Sequence, residues 1–114
     1  MKTSSAKAKG RNLQKYVRDK ILSVFPSLKP DDCRSTSMGA GGEDIQLSTE
    51  GRRVLPVSIE CKSLARIAIY TLYQQAVTNA RTFEPVLIIK QNNSKPLAVI
   101  DLEYWLKLES KANA

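Results

Sequence analysis

Two acidic residues and a lysine are spaced so that they would meet at one end of a β-hairpin. Asp44 lies at the start of the first strand of this predicted hairpin, and Glu60 and Lys62 lie at the end of its second strand. Side chains alternate along a strand, so Glu60 and Lys62 share one face and Cys61 has the other. Two carboxylates suit Mg²⁺, and a lysine beside the cation can orient or deprotonate water and neutralise charge on a phosphate. Such a group could hydrolyse phosphodiesters without histidine, but the short pattern also occurs by chance in many chains, where it forms surface ion pairs at a strand end.

The chain has no histidine, which removes most other hydrolytic chemistries. A Ser-His-Asp triad, a Cys-His pair, a His-ligated zinc ion and a histidine-dependent nuclease all need an imidazole. Cys33 and Cys61 are too few for a disulfide scaffold or a thiolate zinc site, and we interpret them as structural. Any chemistry is left to carboxylates, lysine, hydroxyls and a hard cation.

Positive charge is concentrated near the start of the chain. There are 18 Lys and Arg against 11 Asp and Glu, a formal charge of +7, and seven of the cations fall within residues 1–20. No apolar run approaches the roughly 20 residues of a membrane span. Nothing resembles a secretory signal, so the predicted partner is a nucleic acid and the predicted compartment is the cytoplasm.

Hydrophobic periodicity predicts one α/β domain with a mixed sheet flanked by helices, in the order α-β-β-β-α-β-β-α. We expect a flexible basic arm over 1–10, a single domain over 11–110 and a tail over 111–114. The first helix is predicted to begin at Arg11. Ser63 is predicted to cap a second helix that runs from Leu64 to about Arg81, and a third follows the last strand. The predicted strands are 33–35, 45–47, 54–60, 85–90 and 97–102, with a turn over 48–53.

The chain resembles the PD-(D/E)XK nuclease superfamily and, within it, the Holliday-junction resolvase-like group of archaea and phages. The resemblance covers residues 9–102, nearly the whole domain. It implies a restriction-endonuclease-like fold. The segments that carry it are Gly10–Gln14, Arg34–Ser37 with the glycine-rich loop after it, Glu43–Ile45, Ser58–Lys62 and Gln75.

The resemblance also implies a set of site residues. Asp44 and Glu60 would bind the metal with the backbone carbonyl of Cys61, and Lys62 would serve the attacking water. Gln14 stands where members often have a glutamate that reaches the metal, so it would orient water or phosphate instead. Gln75 would lie near the site, and a boundary amide bonded to backbone is its alternative. Glu43 replaces the proline of the family and is interpreted as a solvated neighbour of Asp44.

The activity implied is that of a Mg²⁺-dependent, structure-selective DNA endonuclease, with Mn²⁺ as a substitute cation. Metal-activated water would leave a 5′-phosphate and a 3′-hydroxyl. The substrate would be a four-way junction, cut by a homodimer because two symmetric incisions need two sites. Such a protein would work in the cytoplasm of a bacterial, archaeal or phage-infected cell.

The predicted DNA contacts fall in two groups. A basic stripe on the arm and the first helix comprises Lys7, Lys9, Arg11, Lys15 and Arg18. The second group, Arg34, Ser35 and Ser37, precedes glycines whose amides could approach phosphates, and a plain flexible connector is the alternative. The pair Arg52 and Arg53 is interpreted as a solvated hairpin tip.

Two rival functions stay open. Another nuclease on the same fold, of a nicking, flap or restriction-like kind, would use the same residues. A non-catalytic nucleic-acid-binding module would keep the fold and the charge, and Gln14 is the residue that favours it.

Overall fold

A five-stranded mixed sheet lies at the centre of the computed structural model, which describes residues 3–36, 42–66 and 68–112. Four helices accompany the strands in this part of the chain. The elements are α1 (Thr3–Val24), β1 (Cys33–Ser35), β2 (Ile45–Leu47), α2 (Thr49–Val54), β3 (Val57–Ser63), α3 (Ile69–Ala80), β4 (Glu84–Lys90), β5 (Leu97–Val99) and α4 (Leu102–Ala112). A short 3₁₀ turn, Pro30–Asp32, precedes β1. Within the described ranges, no helix combines the length and apolar character needed to cross a membrane.

The strands lie side by side in chain order, from β1 to β5. β3 and β4 run parallel, and the other neighbouring pairs are antiparallel. The predicted α/β class with a mixed sheet flanked by helices is therefore confirmed. β3 is the central strand, so both of its faces are available to be covered by helices.

Strand β3 sends alternate side chains to two different layers. Val57, Ile59 and Cys61 join a buried cluster with the apolar side of α1. The intervening Ser58, Glu60 and Lys62 face the other side, because successive strand residues alternate. In the parallel register Glu60 pairs with Leu87 and Lys62 pairs with Ile89. Both partners belong to a second cluster, packed against Leu72 and Ala76 of α3. The acidic residue therefore lies between the sheet and α3.

The helix boundaries differ from those predicted. α1 begins at Thr3, eight residues before the predicted start, so the described part of the expected arm is helical. Its Ala and Lys residues are good helix formers that extend the helix without needing core contacts. At the other end α4 continues to Ala112, so residues 111 and 112 of the expected tail are helical as well.

The connection between β2 and β3 is a short helix and not the predicted hairpin turn. The Ser48 hydroxyl caps α2 by accepting the Gly51 N–H at 3.0 Å, and Asp32 accepts the same hydroxyl at 2.6 Å. The strands nevertheless pair as antiparallel neighbours, with Ile45 opposite Ile59. The connection differs from the predicted one, but Asp44 still lies next to the Glu60 end of β3, as predicted.

Ser63 does not cap the second long helix, which was a wrong prediction. It ends β3, where it pairs with Lys90, and α3 begins only at Ile69 after Ala68. The sheet ladder satisfies the backbone of this segment, so the helix starts five residues later than predicted. The last strand also ends early, at Val99, because the Asp101 carboxylate accepts the Tyr104 N–H and starts α4 there.

Gly51 provides a test of this packing. A Cβ at this buried position would lie 2.7 Å from the Asp32 carbonyl oxygen and 3.2 Å from the Leu47 Cβ, so backbone would have to move. We expect Gly51→Ala to lower the free energy of unfolding by about 1–3 kcal/mol, measured by urea denaturation. Thr49→Ala, an exposed change in the same helix, is the control. Equal midpoints for Gly51→Ala and the wild type would contradict the close approach of α2 to the 3₁₀ turn.

Candidate functional site

Asp44 is held rigidly beside β3. Its N–H donates to the Ile59 carbonyl at 3.0 Å, and its own carbonyl accepts from the Thr36 N–H at 2.9 Å. The side chain is fixed as well, since Oδ2 accepts the Cys61 N–H at 2.8 Å. The structure thus brings Asp44 to the Glu60 end of β3, which is the juxtaposition that the spacing predicted.

Glu60 is a buried carboxylate, with only 6% of its surface exposed. Asn79 of α3 donates to Oε1 at 3.4 Å, and the Lys62 Nζ lies 3.7 Å from Oε2. Burial raises the pKa of Glu60, and the neighbouring Asp44 charge raises it further. Asn79 and Lys62 oppose this rise by stabilising the ionised form. Two carboxylates are therefore close enough to interact, with one lysine as their cationic partner.

Burial also raises the pKa of Asp44, while the Cys61 N–H and the Lys62 charge act against it. Each acid is thus harder to ionise than an exposed carboxyl, and the Asp44 charge adds to this effect at Glu60. A divalent cation bound between them would relieve both effects. Their oxygen donors are of the hard type that Mg²⁺ prefers. In the described residues no group of three or more His, Cys, Asp and Glu is arranged to hold a metal ion.

Cys61 contributes its backbone to this site and its side chain to the core. The thiol is buried in the α1-side cluster. Burial raises its pKa far above the ordinary thiol value, and the two nearby acids add to the rise. A neutral, buried thiol is neither a nucleophile nor a metal ligand. The interpretation of the side chain as structural agrees with this position, and a metal role for the carbonyl stays a prediction.

A cavity of about 600 Å³ opens beside Glu60 and Lys62, against one side of α3. Gln75, which the sequence singled out, lines it, and Gln74 lines it too. Both glutamine side chains are exposed. Gln75 therefore lies next to the cavity that Glu60 lines, and its role there stays a prediction.

Asn79 is the residue of this site that sequence reasoning missed. It lines the same cavity and is the α3 side chain that donates to Glu60. The signal was present, because Asn79 follows Gln75 by four residues and such residues share a helix face.

Gln14 is a buried residue of α1. Only 4% of its surface is exposed, and it has an interaction partner. Helix α1, which carries it, covers the sheet face opposite to Glu60. Its predicted role at the site gains no support from this position.

The predicted DNA contacts fall in several environments. Lys7, Arg11 and Lys15 are exposed or partly exposed on α1, whereas Lys9 donates to Asn92 at 2.9 Å. Arg18 donates to the Cys33 carbonyl at 2.9 Å and so ties α1 to β1.

The remaining predicted contacts lie on and after β1. Arg34 and Ser35 are exposed on this strand, at the edge of the sheet. Ser37 lies outside the described residues.

Two charged residues interpreted as solvated are in fact paired. Arg52 forms an ion pair with Glu43 and donates to the Val57 carbonyl. Its guanidinium lies over the Phe83 ring, 4.1 Å from the centroid. Arg52 therefore links Glu43, the residue before Asp44, to Val57 at the start of β3. It supports the position of Asp44 without being part of the site itself. Arg53 is exposed, as predicted, with a surface ion pair to Glu50.

Comparison of the chain with protein-family models, with curated proteins and with solved structures finds no match. Inferences about its function therefore depend on the residues and geometry described above.

Because Glu60 is buried, we expect its ionised carboxylate to lower the free energy of unfolding at neutral pH. Its folded-state pKa lies above the unfolded value of about 4.5, so ionisation at neutral pH favours the unfolded chain. We expect Glu60→Gln to raise the free energy of unfolding at pH 7 by about 0.5–2 kcal/mol. The gain should shrink toward pH 4, where both states of the wild type are protonated.

Urea denaturation at a series of pH values measures this effect. Glu103→Gln, which neutralises an exposed acid of α4, is the matched control and should change stability by only a few tenths of a kcal/mol. A Glu60→Gln variant less stable than the wild type at pH 7 would contradict the account.

Proposed function

We propose that the protein is a Mg²⁺-dependent, structure-selective DNA endonuclease that cuts four-way junctions. The observation that carries this proposal is Glu60, a carboxylate buried on a central strand, with Asp44 beside it, Lys62 paired to it and an open cavity next to it. Burying a charge is costly unless it is compensated, and strongly perturbed acids collect at functional sites.

The donor set fits a divalent cation held by Asp44 and Glu60. A cation bound there would supply Lewis-acid activation of water and neutralise charge at the phosphate. Asp44 is oriented in advance by the Cys61 N–H, and Glu60 by Asn79. Holding both carboxylates in place before binding reduces the reorganisation that the reaction requires.

Lys62 has a separate task in this proposal. Its side chain is 30% exposed, ends near Glu60 and lines the cavity. An ammonium in this position can hold the attacking water in line or neutralise charge that develops on the phosphate. The amides of Gln75 and Asn79 line the same cavity and are available as donors to a phosphate oxygen.

The architecture supports a restriction-endonuclease-like fold. Two antiparallel strands, β1 and β2, lead to β3, a helix follows, and β4 returns parallel to β3. Glu60 lies on the central strand, and Asp44 lies immediately before its antiparallel neighbour β2. The order agrees with the predicted one apart from the added helix α2. The net charge of +7 suits a polyanionic substrate. A homodimer would present two such sites to the two equivalent strands of a junction.

A second candidate, a non-catalytic nucleic-acid-binding module, is favoured by one observation. Gln14 replaces an acidic residue of the family and lies on the opposite face of the sheet from Glu60. A site without that third acid would bind a cation through fewer charged ligands. Cutting assays separate the two candidates.

The test is to incubate the protein with Mg²⁺ and labelled four-way junction, flap, linear duplex and single-stranded DNA. We expect paired cuts across the junction, with 5′-phosphate ends. Asp44→Asn and Glu60→Gln should each reduce the cutting rate by at least about 100-fold, because the loss of a ligand exceeds the 10- to 100-fold effect of its supporting partners. Junction binding should persist in both variants. Glu103→Gln, in a distant exposed acid, should cut normally.

Three results would overturn parts of this proposal. Binding of DNA without cutting of any substrate by the wild type would replace the enzyme with the binding module. Single nicks in linear duplex, with the junction left intact, would keep the nuclease and reject the resolvase. Full activity in both carboxylate variants would reject the site.

A further inference from the structure

A second cavity, of about 690 Å³, lies between α1 and the turn that joins β4 to β5. We call it the α1–turn groove, and its polar walls are formed by Lys9, Asn12, Tyr16, Lys90, Asn92 and Asn93. It lies on the α1 side of the sheet, away from the Glu60 carboxylate. The carboxylate chemistry proposed above does not use it.

The walls of this groove are held together by hydrogen bonds. The Lys9 Nζ donates to Asn92 Oδ1 at 2.9 Å and so ties α1 to the turn. Within the turn the Ser94 N–H donates to the Gln91 carbonyl at 3.2 Å. Asn93 has a φ of 58°, a left-handed conformation that asparagine tolerates better than most residues. The groove is therefore formed before any ligand enters.

The chemistry of the groove suits a nucleotide. Two of its described lining residues are lysines and none is acidic, so an anion is favoured. The asparagine amides can donate to phosphate and sugar oxygens. Tyr16 adds a ring that is 48% exposed, and such rings stack on nucleobases. The volume lies within the range of about 300–1,000 Å³ that is typical of small-ligand sites.

The groove and the Glu60 cavity flank the same end of β3, on opposite faces of the sheet. Ser63 lines the groove, and Lys62, the preceding residue, lines the cavity on the other face. Ser63 also pairs with Lys90 at the ends of the parallel strands β3 and β4. Ligands of open α/β sheets bind at the carboxyl ends of such strands. A chain of nucleotides that crosses this edge would touch both places.

We infer that the α1–turn groove binds one nucleotide of the DNA strand that continues past the Glu60 site. Lys9 and Lys90 hold its phosphate, the asparagines hold phosphate or sugar, and Tyr16 stacks on its base. The inference rests on the DNA partner of the proposed function and not on the proposed cutting. It adds Asn12, Tyr16, Lys90, Asn92 and Asn93 to the DNA-contacting surface.

Fluorescence anisotropy over a series of salt concentrations tests this inference. The full chain is titrated with labelled single-stranded DNA and four-way junction in EDTA, so that no cutting occurs. The double variant Lys9→Gln/Lys90→Gln should bind single-stranded DNA about tenfold more weakly. Its slope of log K against log salt should be shallower by about 0.7, because the two lysines hold one phosphate and each lost phosphate contact removes about 0.7.

A matched control removes the same charge elsewhere. Lys107→Gln/Lys111→Gln neutralises two exposed lysines of α4 and should leave the salt slope unchanged. Tyr16→Leu should weaken single-stranded binding about fivefold at an unchanged slope, because it removes stacking and no charge. Thermal unfolding of each variant shows that the fold is retained.

Two results would overturn the inference. One is a loss of affinity in the groove variant no greater than in the α4 control. The other is that the protein binds a free 5′-mononucleotide tightly in the groove, while the groove variants bind DNA with the affinity of the wild type. Failure of the cutting proposal would look different. The wild type would then bind DNA more tightly than the groove variants and cut no substrate. If the groove inference alone fails, the wild type would still cut the junction. Lys9→Gln/Lys90→Gln and Lys107→Gln/Lys111→Gln would then bind DNA with equal affinity.

Discussion

The candidate site depends on the burial of a charged group, Glu60, on the central strand of the sheet. A carboxylate taken out of water must find compensating contacts, and these come from different parts of the chain. Asn79 of α3 donates to it and Lys62 pairs with it, while Asp44 adds a second negative charge that works against it. The arrangement is poor for stability and suited to cation binding, which is the combination expected of a site kept for its chemistry.

Alternation along β3 makes this arrangement possible. The same five residues that supply Val57, Ile59 and Cys61 to the core under α1 supply Ser58 and Glu60 to the opposite face. Cys61 serves both sides, since its thiol fills the core and its N–H orients Asp44. A shift of one residue in register would exchange the two faces and destroy core and site together. Fold and site are therefore specified by one alternating pattern.

The sequence predicted the features that depend on local alternation and spacing. The number of strands, the neighbouring antiparallel strands and the meeting of Asp44 with the end of β3 all follow from period-two patterns and turn residues, whereas β3 and β5 end at residues other than those predicted. The features that it did not predict depend on distant partners. The Arg52 contact with Glu43 and Phe83, and the place of Ser63 in the sheet ladder, involve residues far apart in the chain. Asn79 could have been found from helical periodicity once Gln75 had been chosen.

The central claim is that Asp44 and Glu60 together bind a divalent cation, and isothermal titration calorimetry tests it most directly. Titration of the DNA-free protein with Mg²⁺ should show a binding event in the wild type and in Glu103→Gln. The same event should be absent in the double variant Asp44→Asn/Glu60→Gln, whose folded state is checked by circular dichroism. Unchanged Mg²⁺ binding in the double variant, or none in the wild type in the presence or absence of junction DNA, would contradict the account.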